Sequence, residues 1–118
     1  MTKPGRWQVR LASAAENDTR AILRWTTAGF GVRQARTYAR TLSLATEALT
    51  GGADVAGSRR RDYIGPGLRT LHVARRGRKG SHFLLYRITS GGDPLLIDVV
   101  RILHDRMDLP ARGAELEV

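Results

Sequence analysis

Three histidines, His72, His82 and His104, stand at or near the ends of apolar runs that also carry Arg69, Tyr86, Arg87 and Arg101. Metal-independent RNA cleavage needs these residue types: a base for the 2′-hydroxyl, cations for the phosphorane charge and an acid for the leaving oxygen. Histidine has the right intrinsic pKa for that work. His72 alternates with Leu71 and Val73, so it points to the other face of a strand and reads first as a structural residue bonded to a neighbour. His82 opens a run and reads as local. His104 closes the last run beside Asp105 and is the best single candidate for an acid or base, although orientation of a strand end by Asp105 explains it as well. The dispersed histidines lack paired ligand spacing and the chain has no cysteine, so no metal is expected. Gly65-Pro66-Gly67 and Gly91-Gly92 read as turns and match neither a P-loop nor a dinucleotide fingerprint, so no cofactor is expected.

Charge is the second chemical resource. Eight Arg or Lys lie between Arg59 and Lys79, against the single acid Asp62. Two strand-like runs, Leu68 to Ala74 and His82 to Ile88, flank the basic tip Arg75 to Ser81. A charge run is usually a solvated face. The density and single sign here favour contact with phosphates or an acidic segment through arginine forks. The candidates for target or partner contact are Arg59, Arg60, Arg61, Arg69, Arg75, Arg76 and Arg78.

The whole chain agrees with that bias. Its 118 residues suit a single domain at 1–118, with a core over about 7–109 and a short tail at 110–118. The net charge is +9 and 42% of residues are hydrophobic, which suits a folded domain that meets nucleic acid, a nucleoprotein machine or an acidic protein. Cysteine is missing, no signal peptide is evident and no apolar run could span a membrane, so a cytoplasmic protein is expected.

These side chains must be positioned by a few short elements. Trp7 to Ala12 alternates as a half-buried strand does. Ser13 with Glu16 forms a capping-box pattern, predicting a helix to about Thr27 with Ala15, Ile22, Trp25 and Gly29 near one face. Ala28-Gly29-Phe30-Gly31 is expected to break it. A second helix is predicted from Val32 to about Leu49, with the stripe Ala35, Tyr38, Ala39, Leu42, Ala45 and Leu49, and with Arg33, Arg36 and Arg40 off it. Trp25 and Tyr38 at helical spacing read as core, and Trp7 is ambiguous. Residues 51–67 read as loop. Leu95 to Leu103 is nearly all apolar, as a central strand would be. The order β-α-α-β-β-β gives an α+β fold: a small, largely antiparallel sheet with an N-terminal helical hairpin on one face.

Ala15-x-x-Asp18…Ile22-x-x-Trp25, then Phe30-Gly31-x-x-Gln34-Ala35-x-x-Tyr38-x-x-x-Leu42, resembles the helical hairpin of the ParE branch of the RelE/ParE toxins. Gly57-Ser-Arg, Pro66-Gly-Leu-Arg, Leu71-His-Val, His82-Phe…Tyr86-Arg87 and Arg101 to Asp108 are similar to that family's strand motifs. The similarity covers about residues 7–109. Thr19 departs from the usual hydrophobic residue after the helix Asp, predicting a slightly looser helix–sheet contact.

The resemblance implies the toxin of a type II toxin–antitoxin system, neutralised by a ParD-like antitoxin in a heterodimer, heterotetramer or larger complex. For the ParE branch it implies DNA gyrase as target and inhibition by binding. For the RelE branch it implies ribosome-dependent cleavage of messenger RNA, for which His104, Arg87 and Arg101 would be the catalytic set. That branch gathers Lys and Arg on the sheet with a C-terminal Tyr or His. Here the only lysines are Lys3 and Lys79 and no Tyr follows Tyr86, so the ParE reading is preferred and no catalytic residue is expected. Segment 101–108 is a second candidate surface, and direct nucleic-acid contact is left open.

Overall fold

The computed structural model describes residues 6–90, 92 and 95–106. Strand β1 (Gln8–Leu11) leads into helices α1 (Ser13–Phe30) and α2 (Val32–Ala48), and a 3-10 turn at Leu49–Gly51 follows. Strands β2 (Ser58–Arg60), β3 (Arg69–His72), β4 (His82–Ser90) and β5 (Leu96–His104) complete the chain order. They form one five-stranded sheet in the order β1-β5-β4-β3-β2. Only β1 runs parallel to its neighbour, β5, and the other pairs are antiparallel. The expected α+β fold is present, with a mixed sheet.

Both helices differ slightly from their sequence signals. Helix α1 starts one residue earlier than a capping box requires: Ala12 is the N-cap and no side chain caps it, while the Glu16 N–H donates to the Ala12 carbonyl at 3.0 Å. At the other end α1 runs through Ala28 and Gly29 to Phe30, because neither residue forbids helical backbone. Gly31, at φ 93°, makes the reversal, and its N–H closes on the Thr27 carbonyl. A side chain would resist that left-handed region, so one glycine both ends α1 and caps α2.

The core lies between the helical hairpin and the sheet. Ala15, Leu42, Ala45 and Leu49 meet Leu71, Val73, Leu84, Tyr86, Ile97, Val99 and Ile102, with Trp7, Ile22 and Tyr38 partly buried against them. Truncating a side chain such as Leu84 would cost about 3 kcal/mol in lost transfer energy and cavity. Trp25 does not join this core. It is 69% exposed, and the buried α1 position beside it is Thr26, whose hydroxyl donates to the Ile22 carbonyl. Thr19 likewise bonds its own helix, donating to Ala15 at 3.0 Å.

The sheet's other face carries a smaller cluster of Ile64, Leu68, Leu85 and Leu103. Segment 61–68 covers it, folded by the Arg61 N–H bond to the Leu68 carbonyl and the Ile64 bond back to Arg61. Residues 51–67 are thus more than a loop: Ser58–Arg60 pairs with β3 as an edge strand. With only three residues, two of them Arg, that strand has no apolar alternation to announce it.

A register shift between Leu85/Tyr86 sets Arg101 and Val99 opposite them and leaves Val100 as the extra residue of a bulge. Hence Ile97 and Val99 face the helices before the bulge, and Ile102 does so after it. Beside this bulge β1 has already turned into α1, and α1 supplies the missing acceptor. The Asp18 carboxylate takes the Ile102 N–H at 2.9 Å and the Arg101 fork at 2.7 and 3.0 Å. Asp18→Ala would strand the Ile102 N–H and remove that fork from a pair whose side chains are 23% and 17% exposed. It is expected to destabilise the fold by about 2 kcal/mol, read as a lower urea midpoint.

Candidate functional site

The β3–β4 connection turns at Arg75 to Arg78, closed by the Arg78 N–H on the Arg75 carbonyl at 3.0 Å. Its central residues, Arg76 at φ 51° and Gly77 at φ 80°, both have positive φ, the pattern of a type I′ turn. Glycine accepts this freely, whereas Arg76 holds it against its own Cβ. The turn is docked onto α2 by Arg78, whose guanidinium donates to Thr41 Oγ1 at 2.9 Å and to the Thr37 carbonyl at 3.1 Å. Gly80 sits where a Cβ would lie 2.5 Å from Val73 Cγ2 and 3.1 Å from the Tyr38 hydroxyl, so the hairpin touches α2 through its backbone.

The seven candidate arginines divide into two kinds. Arg61 donates to Thr70 Oγ1 at 2.9 Å and lies 5.7 Å above the Phe83 ring. Arg69 pairs with Asp54, Arg75 donates to the Ala56 carbonyl at 3.3 Å, and Arg78 is spent on α2 as described. These four help to hold loops and the tip in place. Arg59 and Arg76 are exposed, with no side-chain hydrogen bond or ion pair among the described residues. Arg60 meets Asp62 at 3.3 Å with both side chains mostly in water, a contact worth little. Thus Arg59, Arg60 and Arg76 present open charge.

Beside the tip lies a cleft of about 590 Å³ with Leu44, Ala45, Ala48, Val55 and Val73 among its lining residues. Arg6, Arg75, Arg76 and Arg78 border it, and Glu47 is its one acid. A second groove, about 670 Å³, runs along β1 and α2 past Trp7, Val9, Leu11, Leu42 and Ile102. Trp7, ambiguous in the sequence, helps to line that groove, and its indole comes close to where a Cβ on Gly52 would lie. A cationic cleft and an apolar groove, both bounded by α2, suit an acidic amphipathic chain.

The histidines gather at the same end of the sheet. His82 and His104 are cross-strand partners with ring centroids 5.2 Å apart, and His72 is edge-on to Phe83 at 5.0 Å. The Ala74 N–H donates to His72 Nδ1, which leaves Nε2–H to donate to Asp105 Oδ2 at 3.0 Å. His104 Nδ1 accepts the Arg106 N–H at 3.1 Å. The Tyr38 hydroxyl takes the Ser81 N–H at 3.0 Å and shares a hydrogen bond with His82 Nδ1 at 2.6 Å. His72 and His104 thus use Nδ1 as an acceptor in the fold. Burial, reinforced by repulsion from His104, pushes His82 down to about 4, and the bond from His72 holds Asp105 below its ordinary value. No group of three or more His, Cys, Asp or Glu able to hold a metal occurs among the described residues.

The other residues of the alternative, RelE-type cleavage set are dispersed. Tyr86 is fully buried and donates to the Ala53 carbonyl at 2.7 Å. Arg101 is engaged by Asp18 on the helix side. Arg87 pairs with Asp98 while His104 pairs with His82, five positions away along β4. At about 3.3 Å per residue that is about 17 Å. Of segment 101–108, Met107 and Asp108 lie outside the described residues, as do Lys3, the Gly91 turn position and the tail.

A hairpin of helices on a mixed sheet with a cationic rim defines a small basic α+β domain. The family model described as the ParE toxin of the type II toxin–antitoxin system parDE matches residues 9–109, and the chain belongs to that family. A Toxin ParE1 of Mycobacterium tuberculosis is 38% identical over 99 residues, covering 84% of this chain and 90% of the relative. A Toxin ParE of Escherichia coli is 33% identical over 107 residues, covering 89% and 91%. The chromosomal ParDE system of P. aeruginosa contains a chain of the same fold, with TM-score 0.68 at 18% identity, over 85% of this chain and 97% of that one. The protein is the toxin component of a type II toxin–antitoxin system, and the ParE reading prevails over the RelE one. Among the described residues no helix is long and apolar enough to cross a membrane.

Two outcomes are expected from the hairpin–helix contact. Gly80→Ala overpacks Val73 and Tyr38 and should cost about 1–3 kcal/mol in a denaturant titration. In histidine NMR, His82 should titrate near 4 while the unfolded chain protonates near 6.5. The unfolded state then binds more protons between those values, so stability should fall as pH drops from 6.5 towards 4. A His82 resonance titrating at its ordinary value would remove this effect.

Proposed function

We propose that this toxin acts by binding DNA gyrase and arresting replication, and that a ParD-like antitoxin neutralises it by covering the cationic cleft and the groove along β1 and α2. One observation carries the binding reading above all: the three histidines gather at one end of the sheet, but Arg87, Arg101 and Tyr86, which would have to work with them on RNA, do not join them there. Arg87 and His104 are about 17 Å apart along the sheet, Arg101 is engaged by Asp18, and Tyr86 is buried. Phosphoryl transfer needs its base, acid and cations around one phosphate within hydrogen-bond reach. Family membership supports gyrase as the target.

The chemistry of the two hollows supports the antitoxin reading. Arg76 offers an open fork to a carboxylate in the field of Arg75 and Arg78, while Leu44, Val55 and Val73 offer apolar contact. An antitoxin segment with acidic and apolar residues would satisfy both, with the arginines setting association rate and specificity. The toxin itself need not touch operator DNA. The protein has the residues to act in the cytoplasm without disulfides, a placement that belongs to this same reading.

Pulse-labelling after induction without antitoxin tests the target: DNA synthesis should stop first while translation continues. An early stop in translation would favour the ribonuclease. Replacing both Arg59 and Arg76 by Ala should weaken antitoxin or target binding about tenfold with an unchanged melting temperature, because both guanidinium groups are open. Toxicity should survive His104→Ala and Arg87→Ala together. Its loss in that folded variant would contradict the binding mechanism.

A further inference from the structure

The turn of the helical hairpin bears an apolar patch that the fold does not use. Trp25 is 69% exposed, Phe30 65% and Val32 56%, and the two rings meet edge-to-face at 5.8 Å. They therefore form one preassembled aromatic knob. Arg24 stands next to Trp25 and Arg33 next to Val32, both exposed. From Thr19 to Thr46 the chain has five arginines and no acid. Elsewhere on α1 a shallow open hollow is lined by Arg20, Leu23, Arg24, Thr27 and Ala28.

We infer that this knob is a docking point for an acidic, apolar-bearing surface of the toxin's target protein, separate from the antitoxin's hollows. The inference rests on the proposed reading that the protein acts by binding a target. Charge selects the kind of partner. A second copy of this chain would set arginine against arginine at net charge +9, so self-association is disfavoured. A nucleic acid draws its affinity from many phosphate contacts, whereas the exposed centre of this patch is apolar, with Arg24 and Arg33 as its chain neighbours. An exposed Trp with an aromatic neighbour and one or two arginines is instead the composition of a protein–protein hot spot, which an acidic rim would complement.

Position separates the knob from the antitoxin site. The groove along β1 takes Thr19 from α1 and Ala39, Leu42, Ser43, Thr46 and Glu47 from α2, all at least two helical turns from Gly31. Along α1, Trp25 is six positions from Thr19 and Phe30 eleven, about 9 Å and about 16 Å at about 1.5 Å per residue. A chain filling the groove and the cationic cleft would leave the turn open.

The test pairs toxicity with antitoxin affinity in the full chain. Trp25→Ser with Phe30→Ser, and separately Arg24→Glu with Arg33→Glu, change exposed positions only, and circular dichroism checks folding. Either variant should lose growth arrest, bind purified gyrase at least about tenfold more weakly and keep antitoxin affinity within about twofold. Full toxicity in both folded variants would overturn the inference, and so would a parallel loss of antitoxin binding. Binding to a bare DNA duplex that the aromatic substitutions abolish would assign the knob to nucleic acid instead, and would overturn it too. Lost toxicity in both variants when the wild-type chain does not bind gyrase would uphold the knob and reject gyrase as the target. A wild-type chain that arrests no growth would overturn both.

Discussion

The Asp18 carboxylate holds the two halves of this fold together. Strand β1 shields only the first half of β5, because the chain leaves the sheet at Ala12 to start α1. Beyond that point the β5 edge would face the helices with an unmet N–H, at a bulge that has already broken the alternation. Asp18 accepts that N–H and the Arg101 fork together. A buried amide without an acceptor would cost as much as several weak surface contacts supply. This carboxylate ties α1 to β5 beside the core that packs the helical hairpin on the sheet.

A second constraint comes from arginine serving two ends. A chain this basic would repel itself if every guanidinium lay in water at the rim. Here Arg61, Arg69, Arg75 and Arg78 spend donors on carbonyls, hydroxyls and Asp54, and in doing so they fix the segments that display the others. Arg78 ties the tip to α2, Arg76 stands beside it with open charge, and Arg59 stands open on the edge strand. In the proposed binding surface the open arginines are thus displayed by segments that structural arginines hold in place. Such preorganisation reduces what the surface loses in side-chain freedom on association.

Much of this was legible in the sequence. The apolar stripe of α2, the strand runs and the family motifs gave the α+β order, because period and turn residues report local backbone directly. Long-range pairing was not legible: nothing in Gln8 to Leu11 says that it joins β5 in parallel, and the three residues of β2 carry no pattern. Trp25 misled because helical spacing predicts a shared face and not which face is buried, and Thr26 took the inner position by bonding its own helix. The basic tract was visible as charge. Which arginines are open depends on acceptors far away in sequence, such as Thr41 for Arg78 and Asp54 for Arg69. The cationic cleft has a clear signal only in three dimensions, where α2 meets the hairpin tip.

The central claim is that this chain is a binder of gyrase with no cutting chemistry of its own. The most direct measurement is DNA supercoiling by purified gyrase with ATP and the purified toxin, with and without excess antitoxin. The account predicts that the toxin inhibits supercoiling, that antitoxin restores it, and that messenger RNA on ribosomes stays intact at the same toxin concentration. Undisturbed supercoiling together with cleaved messenger RNA would contradict it.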